Sequence, residues 1–153
     1  MLGLVASLLA AVVVQDANLD LDAARPSPEL EPETVVRLQV SGLASWALLD
    51  RRAGRALALR FATPQLRARW KDGAPEPELL GHALELRVER TRAFGATALV
   101  GASVTDHEGR ARSFVFVLVR TRAENEPPCW RVAAVSRRGL DRGPKRKALR
   151  LEI

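Results

Sequence analysis

The side chains able to do chemistry in this chain are few and scattered. There are two histidines, His82 and His107, and a single cysteine, Cys129. A thiol nucleophile needs a nearby cation or base to lower its pKa. Cys129 follows two prolines and precedes Trp130, with neither histidine close in sequence, so it reads as a small buried hydrophobe. His107 lies in the run Asp106-His107-Glu108-Gly109, beside acids but without a second histidine at ligand spacing. One cysteine excludes an intramolecular disulfide and a multi-cysteine zinc site. The chain carries no glycine-rich phosphate loop, nucleophile elbow or metal-spaced carboxylate pair, and no cofactor is expected. Trp46, Trp70 and Trp130 are of a type that lines ligand pockets, although tryptophans on amphipathic elements more commonly build a core.

Charge offers the remaining chemistry. The chain holds 24 Lys or Arg against 18 Asp or Glu, a formal net charge of +6. Arginine supplies 21 of the cations and lysine three, a skew that genome composition can produce. From Arg110 to Ile153 there are twelve Lys or Arg and four Asp or Glu. The densest part, Arg137 to Arg150, includes Arg138, Lys145, Arg146 and Lys147. Such a tail suits an anionic membrane surface or a polyanion through counterion release, or is simply a solvated end. Nucleic acid is disfavoured, because no aromatic residues interleave with these cations.

These residues must be placed by elements the pattern predicts. Leu2 to Val14 is an apolar run of thirteen residues with Ser7 its only polar member. That is short of the roughly 20 needed to span a bilayer as a helix, and is the length of a signal-peptide hydrophobic region. No Lys or Arg precedes it and no clear small-x-small cleavage site follows. The expectation is export (periplasmic, extracellular or membrane-tethered), with a cytoplasmic protein as the alternative. Residues 1–15 thus form a signal-like or anchoring segment. Residues 16–31 form an acidic, proline-containing linker, and residues 139–153 a basic tail.

The part between, residues 32–138, is long enough for one domain. Glu31-Pro32-Glu33-Thr34 opens a helix whose Val36, Val40, Leu43 and Ala47 share one face, with Trp46 beside them. A second helix is predicted over Arg52–Phe61, and Thr63-Pro64 ends it and starts another turn or two to Trp70. Lys71 to Pro77 reads as a loop.

Strands follow. Leu84, Leu86 and Val88 alternate with Glu85, Arg87 and Glu89. Ala96–Thr105 is a weaker strand, interrupted by Gly101 and preceded by Gly95. Asp106 to Gly109 supplies a hairpin turn. Ser113 to Arg120 is apolar on both faces, Phe114, Phe116 and Leu118 on one and Val115, Val117 and Val119 on the other, as in a strand covered on both sides. Cys129 to Val135 closes the sheet. Helices first and a meander second predict an α+β domain, with N-terminal helices packed on a curved antiparallel sheet of about four strands.

The run Pro-Glu-Thr-Val-Val-Arg-Leu-Gln-Val, the Phe61-Ala62-Thr63-Pro64 turn and the late Cys129-Trp130-Arg131-Val132 resemble the bacterial family called domain of unknown function 4864. Thr63 stands where that family has Ser, Val40 where it has Leu, and Gln65 where it has Asn. More broadly the layout is similar to the nuclear transport factor 2-like cone. That resemblance implies a pocket between helices and sheet, and a homodimer through the sheet's outer valine face. Enzymes of that fold place an acid or base in the pocket, for which Asp50, His82 and Glu85 are the weak candidates here. Asp50 reads better as a helix cap and His82 as a surface residue. The expectation is therefore a non-catalytic domain binding a small apolar ligand or a protein, with Trp46, Phe61, Trp70, Phe114, Phe116 and Trp130 lining its pocket. The alternatives are an isomerase- or dehydratase-type pocket enzyme and a membrane-surface or polyanion binder using Arg137, Arg138, Lys145, Arg146 and Lys147.

Overall fold

In the computed structural model the described residues are 24–49, 51–122 and 127–138, with side chains at 45–51 excluded. Among the described residues four helices precede four strands: α1 (Pro32–Leu49), α2 (Arg51–Arg60), α3 (Pro64–Lys71), α4 (Glu76–Gly81), β1 (Ala83–Phe94), β2 (Thr97–Asp106), β3 (Ala111–Thr121) and β4 (Cys129–Arg138). The strands form one open antiparallel sheet in the order β1-β2-β3-β4. This is the α+β arrangement that the helix-then-strand pattern predicts, with every described helix contributing to a core on one face of the sheet.

The first helix is more deeply buried than a single apolar stripe implies. Val35, Val36, Leu38, Gln39, Val40, Ser41, Leu43 and Ala44 are all buried. The reason is that α1 packs on strands with one side and on α2 and α4 with the other. Gly42 permits the close approach of α2: a Cβ there would lie 3.0 Å from Leu57 Cδ2 and 3.2 Å from the Gly54 carbonyl oxygen. Thr91 Oγ1 donates to Glu33 Oε1 at 2.7 Å, tying the start of α1 to β1.

Pro64 opens α3 in its first turn as the Thr63-Pro64 pair predicts, and Thr63 caps it, its Oγ1 accepting from the Leu66 N–H at 3.3 Å. Arg67 Nε then donates to the Leu59 and Ala62 carbonyls at 2.8 and 3.1 Å, tying α3 to the end of α2 and the turn after it. The adjoining Phe61–Thr63 backbone bonds to β4, with Val132 N–H on the Phe61 carbonyl at 2.7 Å and Thr63 N–H on the Val132 carbonyl at 2.9 Å. The segment read from sequence as a loop over Lys71–Pro77 differs at its end, where α4 begins at Glu76. Pro77 fits its first turn, and burial of Pro77 and Leu80 holds this short helix on the core. Ala24 and Leu30, both in the acidic segment, also pack against that core.

A register shift at the start of β1, between Ala83 and Glu85, leaves Leu84 exposed rather than beside buried Leu86, and two further bulges shape the sheet. Register shifts between Val88 and Arg90 in β1, and between Val117 and Leu118 on the β3–β4 ladder, leave Glu89 and Ala133 as extra residues. The β2–β3 hairpin closes with Gly109 at φ 81°, a left-handed position that glycine takes without cost. Asp106 Oδ1 accepts the Glu108 and Arg110 N–H groups, each at 2.9 Å, and Oδ2 meets Arg112 Nη1 at 3.2 Å. These bonds, the Arg110 N–H first, hold the Asp106 carboxyl below its ordinary pKa.

Candidate functional site

The two faces of the sheet differ in kind. Toward the helices, Val100, Phe114, Phe116, Leu118 and Val132 are at most 1% exposed and belong to one apolar cluster with Phe61, Leu66, Trp70 and Leu80. The other face carries Phe94, Leu99, Gly101, Val115, Val117, Val119, Ala134 and Ser136, read from the pairing register and the alternating burial. Leu99 and the three valines are only half-buried there, and Phe94 is 52% exposed.

A trough of about 690 Å³ lies across that outer face, lined by Glu89, Arg90, Arg92, Leu99, Gly101, Val115, Ser136 and Arg138. Its floor follows one row of the ladder, in which Arg90 faces Gly101, Gly101 faces Val115 and Val115 faces Ser136. Gly101 makes the depression, since among the described residues the position of a Cβ there has only the Arg90 carbonyl oxygen near it, at 3.9 Å. The β1 bulge supplies the wall. With one extra residue opposite β2, Glu89 and Arg90 both reach the trough, whereas a regular strand would send one of them to the core.

Arginines stand at both sides. Arg90 and Arg92 project from edge strand β1, and Arg138 from edge strand β4, three strand spacings or about 14 Å across. None of the three, nor Glu89, is in an ion pair among the described residues. Arg92 instead stacks on Phe94, its guanidinium carbon 6.0 Å from the ring centroid. Three guanidinium groups against one carboxylate give this depression, apolar at Leu99 and Val115, a positive rim.

No family model, curated protein or solved structure matches the chain.

The residues expected to line a pocket are placed as follows. Phe61, Trp70 and Phe116 are 0% exposed and Phe114 is 1% exposed, with the Phe114 and Phe116 rings 6.4 Å apart. Trp130 is 7% exposed, and Arg120 lies over its ring at 5.4 Å. The Trp46 side chain lies outside the described residues. None of the five described side chains lines the trough. Of the acid and base candidates, His82 is exposed with its Nε2 3.7 Å from Glu78, Glu85 is half-buried on β1, and Asp50 lies outside the described residues. His107 is exposed in its turn, and Cys129 is buried with its thiol donating to the Pro127 carbonyl at 3.3 Å. Of the basic residues, Arg137 and Arg138 end β4 exposed, while Lys145, Arg146 and Lys147 lie outside the described residues.

Sequence reasoning identified the valine face but missed the trough. Arg90, Arg92 and Phe94 were beyond the predicted end of β1, and a one-residue bulge hides which face each takes. Gly101 carried the available signal, since a glycine inside a strand marks a bulge or an open approach to the backbone.

Proposed function

We propose that this chain is a non-catalytic binding domain whose working surface is the outer face of the sheet. The observation that carries the reading is the trough itself, an apolar floor in the middle of β2 and β3 with cations on both sides. A solvated sheet face ordinarily alternates to polar residues. Here Leu99, Val115, Val117, Val119 and Ala134 hold those places instead. The buried aromatic residues are assigned to folding, because their rings are enclosed by the core. Acid–base catalysis is not favoured, since exposed His82 does not stand among them.

Kinship with the domain of unknown function 4864 family and a nuclear transport factor 2-like cone belongs to the same reading. It is supported by the order of α1, the Phe61–Pro64 turn and the Trp130–Arg131 strand. Export rests on the apolar Leu2–Val14 run alone. A second occupant of the face, another copy of this chain, is favoured by the line of Val115, Val117 and Val119 along β3.

The test is native mass spectrometry of the gently purified full chain beside its Val117→Asp variant, both checked for a cooperative melt. The reading expects a retained small-molecule mass in the parent chain that the variant loses. A dimer broken by the variant makes a second copy the occupant. A bare monomer, or a mass or dimer that Val117→Asp leaves intact, overturns the outer face as the working surface.

A further inference from the structure

Resting on that reading, we infer that the trough takes an amphipathic organic acid, one anionic head carried on a flat or extended apolar body. The argument is complementarity of shape and charge at named residues. The floor of Leu99, Gly101 and Val115 offers apolar surface without a protruding side chain at its centre. A volume of about 690 Å³ is in the range of small-molecule sites. An uncharged ligand would leave three arginines unused, and a small inorganic anion would leave the floor wet.

The walls set the head group. Arg90 and Arg138 approach from opposite edges of the sheet, and a carboxylate or sulfonate between them accepts N–H bonds from planar guanidinium groups. Glu89 stands beside Arg90 in the bulge, and favours a ligand with one anionic group over one densely charged along its length. Phe94, exposed and stacked with Arg92, extends the apolar surface beyond the floor. The β1 bulge is the device that makes this possible, as it brings Glu89 and Arg90 to the same side opposite the open Gly101.

The experiment titrates the full chain with 8-anilinonaphthalene-1-sulfonate, and separately with its uncharged counterpart N-phenyl-1-naphthylamine, reading fluorescence and stoichiometry. Saturable 1:1 binding of the sulfonate is expected, with the neutral compound about tenfold or more weaker. Arg90→Gln and Arg138→Gln each lower sulfonate affinity by about tenfold or more. Gly101→Val abolishes binding by filling the floor while leaving the fold intact, which separates blocked access from unfolding. If both compounds bind alike, and Gly101→Val removes them while the arginine variants do not, the anionic class is wrong and the outer-face site stands. If Gly101→Val and Val117→Asp leave sulfonate binding unchanged, the outer-face reading fails with it.

Discussion

Replacing Gly101 with valine makes the protein more stable, a direction opposite to that of most substitutions in the middle of a strand. Gly101 is not among the glycines at positive φ, so a β-branched residue meets no backbone strain there. Among the described residues its Cβ would have a single neighbour, the Arg90 carbonyl oxygen at 3.9 Å, which is ordinary van der Waals contact. Removing the excess backbone freedom of glycine from a strand contributes about 0.5–1 kcal/mol. A new cross-strand contact with Val115, directly opposite on β3, adds about 0.2–1 kcal/mol. The sum is about 1–2 kcal/mol, or a rise of roughly 4–8 °C in Tm for a domain of this size. Thermal melts followed by circular dichroism, with urea midpoints as a second scale, measure it directly. A fall in Tm would refute the reasoning, because it would mean that something already occupies the space over Gly101.

Other perturbations probe the core, the helix pair and the hairpin. Phe116→Ala lowers stability by about 3–5 kcal/mol in urea unfolding. A loss below about 1 kcal/mol would instead place that ring in a solvated pocket. Gly42→Val costs about 1–3 kcal/mol, since the Gly54 carbonyl 3.2 Å from the new Cβ belongs to backbone and cannot swing aside. An unchanged Tm contradicts that close approach of α1 and α2. The Asp106 carboxyl has its pKa lowered in the folded state, so its stabilisation is present above the ordinary aspartate value of about 4 and is lost as pH falls through the lower folded value. Asp106→Asn therefore lowers Tm at neutral pH and flattens the acid limb of the Tm–pH curve. Parallel curves for the two proteins would argue against that role.

Fold class was legible because the strongest patterns are local. The Thr63-Pro64 stop, the Asp106–Gly109 turn and the continuous apolar run Phe114–Val119 each act over a few residues. The helix α4 was not, since Pro75 and Pro77 are turn formers by type, and only burial against the core makes their neighbourhood helical. The trough escaped for a related reason. Arg90 and Arg92 are ordinary surface residues until the bulge and the partner strand decide their side, and Arg138 is 48 positions from Arg90 in sequence yet shares the same depression. Long-range pairing, which no single-residue preference encodes, brings them together.

The most direct test of the outer-face account is a methyl NMR spectrum of the full chain, recorded with and without 8-anilinonaphthalene-1-sulfonate. Leu99, Val115 and Val117 report the outer face, and Leu66, Leu80 and Val132 report the core behind it. The account predicts shifts in the first three sets of methyls while the second three stay in place. Shifts confined to Leu66, Leu80 and Val132 would contradict it, and would return the binding site to the space between helices and sheet.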